Sequence, residues 1–448
     1  MSPFFRAGSS SRRASAAVSR DRHADGAKPF RRSGPLTPSV STEATRARLS
    51  FVLLVYVVAM VALIQLAPFG FILPSDIHVV AVSDWRDAFD SVFLFVPLGF
   101  LYPLTRTSRR TSSVHVALGG ALLGALIAAG RICEADRDVA IADIAASALG
   151  ACVGGLLLEA VNHRTRASAR LANRLSLEIP LAALVYLLLG VLVATGFSAH
   201  DDIRRLLLVL PLGLLGARLL AGLQQHHFGP AHMLTARGMS LVAVGWMVLG
   251  VFPTLLRHPL FAVGCILFTG LATFYHLSRP VVHFKERRFE ADVLKGAMPY
   301  VVVYFLDVAL LPLAGGFERW HFQLGLAGGN GDVARQVMQL LELVASLTLL
   351  GYLLAETRGR RELPFARVAL RVAMECCCVA IAIEASCGFQ RQVGASALEC
   401  LLMVCAAVLG AGMYHHQRER VRWLLIHRLT AAPERVAMRP RAWVRMAD

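Results

Sequence analysis

The chain has 448 residues, 56% of them hydrophobic and only 17% charged, and a formal net charge of +16. So apolar a composition excludes an ordinary water-soluble protein of several domains, and Leu-, Ala- and Val-rich runs of helix length, with aromatics at only 8%, exclude a transmembrane β-barrel. The basic excess would suggest nucleic acid in a soluble protein, but most of the Lys and Arg lie in the termini and in every second loop, an asymmetry typical of membrane proteins, so no nucleic-acid partner is expected.

In chain order, residues 1–49 are rich in Arg, Ser and Ala, contain Pro35 and Pro38, and lack any apolar run that could pack a core. They read as a disordered, basic cytoplasmic tail. An organellar transit peptide is the other reading of such a stretch, and the Ala/Arg/Leu bias of the whole chain favours a bacterial origin instead. No cleavable signal peptide is expected before the first span. Apolar runs then place four spans near 50–73, 88–104, 114–130 and 139–160. The loop Pro74 to Asp87 is acidic and Thr105 to Arg110 is basic, which puts the first outside and the second inside. A middle set follows near 180–197, 204–223, 238–255 and 259–276, and a last set near 297–315, 335–356, 365–387 and 395–414.

The expectation is therefore an all-α, polytopic integral membrane helix bundle of about 12 transmembrane helices, with both termini cytoplasmic and the lipid bilayer as its first partner. Three four-helix units are read at 50–161, 180–276 and 297–414. The tail 415–448 sets Arg418, Arg420, Arg422 and Arg428 around Trp423 to Ile426, a pattern that suits an amphipathic helix on the inner leaflet.

Self-similarity supports the division into units. Leu54-Val55-Tyr56 recurs as Val302-Val303-Tyr304, Pro97-Leu98-Gly99-Phe100 as Leu349-Leu350-Gly351-Tyr352, and Thr105-Arg106 with Arg109 as Thr357-Arg358 with Arg361. After a four-residue shift, Asp143 aligns with Glu399 and Gly154 with Gly410. The middle set matches more faintly, through Val185-Tyr186 and Pro211-Leu212-Gly213. Even-numbered units of this kind run parallel, not inverted.

The nine cysteines form no CxxC pair and no zinc spacing. Cys376-Cys377-Cys378 reads as packing, with acylation or metal binding as the alternatives, and a Cys133–Cys387 disulfide at the outer face is one further option. His226, His227 and His232, and likewise His415 and His416, read as loop or helix-end histidines lacking a supporting carboxylate. Neither a metal nor another cofactor is expected. Small residues such as Gly119, Gly120, Gly124, Gly150 and Gly154 suit close helix packing. Intramembrane acids are costly and need partners; Glu342, Glu375 and Asp307 are expected to pack or to pair with Arg371, with a proton relay as the other reading.

Residues 50–160 resemble the VanZ-like membrane family. The likeness rests on Phe95-Val96-Pro97-Leu98-Gly99-Phe100, on Arg137 and Asp143, and on the spaced Gly150 and Gly154. Ser91 and Ser147 replace Asn of the family pattern, Ala140 a first Asp, and Ala128 and Arg131 its Glu and Gln. The last set supplies Glu384 and Glu399 at the corresponding places, with Val393 and Cys387 for the Arg and Gln. The resemblance implies a bacterial inner-membrane protein of the cell envelope and implies no reaction. The substrate-binding set expected from it is Asp87, Arg131, Arg137, Asp143, Glu384 and Glu399. Guanidinium groups beside carboxylates at the outer face suit an anionic lipid-linked or glycan-type substrate. A proton-coupled transporter built from parallel repeats, or a non-catalytic scaffold whose partners are envelope assembly proteins, are the competing readings.

Overall fold

A computed structural model describes residues 49–66, 79–81, 85–105, 112–132, 139–164, 180–199, 203–227, 235–278, 289–315, 319–324, 333–359, 364–389 and 394–437. Among the described residues there are twelve α-helices. They are α1 (Leu49–Leu66), α2 (Trp85–Thr105), α3 (Ser113–Ile132), α4 (Ile141–Arg164), α5 (Pro180–Ser198), α6 (Val209–His227), α7 (Ala236–Arg257), α8 (Pro259–Ser278), α9 (Phe289–Leu310), α10 (Val333–Gly359), α11 (Phe365–Cys387) and α12 (Ala397–Ala437). Ten of the described helices are long and apolar enough to cross a bilayer, which marks a multi-pass membrane protein. The apolar part of α1, Ser50–Leu66, is shorter, and α11 carries Arg367, Arg371, Glu375 and Glu384.

Local chemistry sets many of the helix ends. Pro180 and Pro259 open α5 and α8, where a missing N–H costs nothing. Thr235 caps α7 by accepting from Gly238 N at 3.1 Å. The residues expected to form a separate surface helix continue α12 as far as Ala437, and side chains from 420 onward lie outside the described residues.

The core sits around α5 and α6, whose spanning stretches are 83% and 78% buried. Outer helices present apolar side chains to the surroundings instead. On α3, Val114, Leu118, Leu122 and Leu126 form one stripe with exposures of 61% to 65%, a face that water would not tolerate at this size and that lipid does.

Among the described residues, four two-residue strands pair in parallel, a feature not anticipated from sequence. β1 (Val79–Val80) joins β2 (Val139–Ala140) just before α4, and β3 (Phe322–Gln323) joins β4 (Ala395–Ser396) just before α12. In each case the connection between two earlier helices is pinned to the start of the fourth, so exposed backbone groups near the membrane boundary find partners. Gly394, at φ 67°, makes the left-handed turn into β4. This end of the bundle is called the strand end below.

Two seams are built alike. α2 packs on α4 and α10 on α12, each at backbone contact distance. A methyl group at Gly99 would stand 2.0 Å from the Ala151 carbonyl oxygen, and one at Gly351 would stand 2.0 Å from that of Ala407. From the other side, a methyl group at Gly154 would stand 2.1 Å from the Val96 oxygen and one at Gly410 2.0 Å from the Thr348 oxygen. Gly119, by contrast, has open space. Gly154→Ala and Gly410→Ala should each cost about 1–3 kcal/mol, the usual range for overpacking, whereas Gly119→Ala should be neutral or slightly stabilising. Thermal unfolding of the detergent-solubilised variants reads the difference; equal losses at all three positions would refute the seam contacts.

Candidate functional site

In α1–α4, polar groups from four helices link at the strand end. Gln65 Nε2 on α1 donates to Ser91 Oγ on α2 at 3.2 Å. Arg131 on α3 donates through Nε to the Gln65 carbonyl at 3.2 Å and through Nη1 to Asp143 Oδ2 on α4 at 2.9 Å. The Arg131 and Asp143 side chains are only 15% and 11% exposed, so the two charges satisfy one another away from bulk water. Arg131 thus acts as a cross-helix clamp.

A second polar centre lies between α5, α6, α9 and α10. Glu342 on α10 is buried and accepts from Thr195 Oγ1 at 3.1 Å, from Tyr304 OH at 3.4 Å, from Ser198 Oγ, and from Arg205 Nη1 at 3.4 Å. Four donors fill the capacity of a carboxylate. Thr195 and Ser198 come from the last turns of α5, Tyr304 from α9, and Arg205 from the short 3-10 helix Arg205–Leu208 that leads into α6. The expected Arg371 partner is not used here: Arg371 faces outward, and Glu375 pairs with Arg358 of α10.

The third centre is where α11 ends and α12 begins. Glu384, also buried, accepts from the Ser396 backbone N–H at 2.7 Å through Oε2. Its Oε1 has no hydrogen-bond partner among the described residues. Ser396 in turn caps α12 by accepting from Glu399 N at 3.1 Å. The segment carrying β3 folds over this junction, with Trp320 Nε1 donating to the Ala385 carbonyl at 3.3 Å and His321 N to the Gly388 carbonyl at 2.9 Å. A glutamate from α11 therefore holds the start of α12 in place.

Between the second and third centres opens a cleft of about 620 Å³ at the strand end. Arg205, Gln336, Gln339, Glu342, Cys387 and Glu399 supply its polar wall, and Val308, Leu311, Leu340 and Ile383 are among its apolar residues. This mixture of an anchored guanidinium, two amides and the Glu399 carboxylate can hydrogen-bond hydroxyl groups and pair with an anionic group.

Of the residues expected from sequence, Glu399 lines this cleft and Glu384 holds the backbone beside it. Arg131 and Asp143 engage each other on α3 and α4. Asp87 is exposed in the first turn of α2, where a carboxylate complements the helix dipole, and Arg137 lies outside the described residues. Sequence reasoning missed Arg205, Gln336 and Gln339. The available signal was weak: polar residues just before α6 and in the first two turns of α10 look like ordinary helix-end residues until folding brings them together. Cys387 is a free thiol, while Cys133 lies outside the described residues. His415 has a carboxylate partner after all, Glu419 at 3.2 Å one turn on.

The sequence matches no protein-family model, and comparison with curated proteins and with solved structures gives no match either.

Removing one member of a buried ion pair leaves the other uncompensated, at a cost of about 3–5 kcal/mol. Arg131→Ala and Asp143→Ala should each destabilise by that order, and the double variant by much less than their sum. A double-mutant cycle on thermal unfolding in detergent measures it; additive losses would mean that the pair contributes no coupling.

Proposed function

We propose that this is a VanZ-like protein of the bacterial inner membrane that binds a glycan-type, anionic or lipid-linked substrate at its outer face. Both termini are then cytoplasmic, in line with the basic loops, and the strand end faces outward. α1–α4 and α9–α12 are read as two copies of one ancestral unit, a reading favoured by their matching glycine seams and strand pairs. The middle helices α5–α8 are read as a third, more diverged unit.

The observation that carries the substrate reading is the strand-end cleft with its convergent polar wall. In it, the carboxylate of Glu399 and the amides of Gln336 and Gln339 suit the hydroxyl groups of a sugar. Arg205 has N–H donors beyond the one directed at Glu342, and these suit a phosphate or carboxylate of the same substrate. The apolar wall of Val308, Leu311 and Ile383 suits a lipid linkage emerging from the bilayer. Glu384 serves as a positioning residue, because it fixes the turn from which Glu399 projects.

A direct test uses the protein in lipid nanodiscs and a polyprenyl-phosphate-linked hexose as probe. Glu399→Gln and Gln339→Ala should each raise the Kd about tenfold, the loss of roughly one hydrogen bond to a charged or strongly polar group. Arg131→Ala, remote from the cleft, should lower stability and leave the Kd unchanged. Unaltered binding in both cleft variants would refute the site.

A further inference from the structure

Apart from the strand-end cleft, the bundle holds a second, partly open cavity between α1, α2 and α5. It is lined along α1 from Tyr56 to Ile64, along α2 from Phe93 to Leu101, and along α5 from Tyr186 to Val193. Each stretch covers about two helical turns, roughly 11–12 Å at 1.5 Å per residue. The space is thus elongated along the helix axes, and in a membrane-spanning bundle that direction is close to the bilayer normal. Both ends of each stretch lie within the apolar part of its helix, at hydrocarbon depth.

No charged side chain lines the cavity. Apart from the hydroxyls of Tyr56 and Tyr186 the walls are apolar, so they offer dispersion contacts to hydrocarbon and few partners to water. The medium that surrounds the bundle at this depth is hydrocarbon. We infer that the cavity is a binding site for one acyl chain of a bilayer phospholipid, held lengthwise between α1, α2 and α5. The inference does not draw on the substrate reading of the strand-end cleft, and either can fail without the other.

Gly190 gives the means of testing it, since it lines the cavity and a methyl group there would meet Tyr56 at 3.7 Å, an ordinary contact. The experiment is native mass spectrometry of the intact chain in detergent, with dioleoyl phosphatidylglycerol as the probe. The wild-type protein and Gly190→Ala should retain one phospholipid under conditions that strip annular lipid. Gly190→Leu should lower that occupancy at least tenfold with unchanged thermal unfolding, and Met60→Phe fills the same space from α1 if the first variant does not fold. Leu271→Phe, on an outward face that is 67% exposed in the leucine, should leave occupancy as it was. Equal retention by the wild-type protein and both filled variants would overturn the inference, as would a wild-type protein that holds no lipid, or one that takes a polyprenyl phosphate and excludes the phospholipid.

Discussion

A polar group inside a bilayer has no water to fall back on, so each one must be answered within the bundle. That requirement explains the placement of the buried charges. Glu342 is met by four donors drawn from α5, α9 and the start of α6. Asp143 is met by Arg131, and Glu384 by the backbone of Ser396. In each case the partner comes from a different helix, so satisfying the charge and fixing the helix arrangement are one event. A slip of one helix by a turn would strand a carboxylate in hydrocarbon, and the apolar packing, which is tolerant of such slips, would not resist it as strongly.

The second constraint is distance. In lipid there is little hydrophobic force to drive helices together, so close packing and small residues must do so. The seams α2/α4 and α10/α12 use glycines on both sides to bring backbones into contact. The core helices α5 and α6 are enclosed by the others and pack mainly through Leu, Val and Ala. The polar centres lie near the strand end of the helices, and the glycine seams run through the middle. Rigid, close-packed segments thus support the end at which the cleft opens.

Features that depend on one helix at a time could be read from the sequence. Apolar runs placed each helix to within a few residues at most ends, because span length and hydropathy are properties of contiguous residues. The described part of α1 ends at Leu66, and the expected end of the first span at 73 lies outside the described residues. Of the seam glycines, Gly154 was visible in its small-residue spacing with Gly150. What depended on two distant segments was harder to see. Arg205 and Glu342 are 137 positions apart, and nothing local in either stretch announces the pairing. The strand pairs were missed for the same reason: two residues are too few to carry an alternating pattern. Arg131 was expected in a binding role, yet its short sequence distance from Asp143 and their placement on neighbouring helix ends made the ion pair the nearer outcome.

Glu342, Glu384 and the half-buried Glu399 are held by the fold in different ways, and this separates support from recognition. Glu342 spends its oxygens on four donors and so is committed to holding α5, α6, α9 and α10 together, even though one edge of it reaches the cleft. Glu384 commits one oxygen to the Ser396 amide. Glu399 sits in the first turn of α12, where its own backbone N–H is capped by Ser396 and its side chain reaches the cleft wall. The same helix start thus has the Glu399 amide capped while its carboxylate contributes to the cleft wall. Arg205 has a similar double position, since its fork of five donors is only partly directed at Glu342. A ligand that engaged Arg205 from the cleft would compete for the guanidinium that helps to neutralise Glu342. Binding at the strand end and the packing of α5 and α6 against α9 and α10 would then be coupled through one side chain.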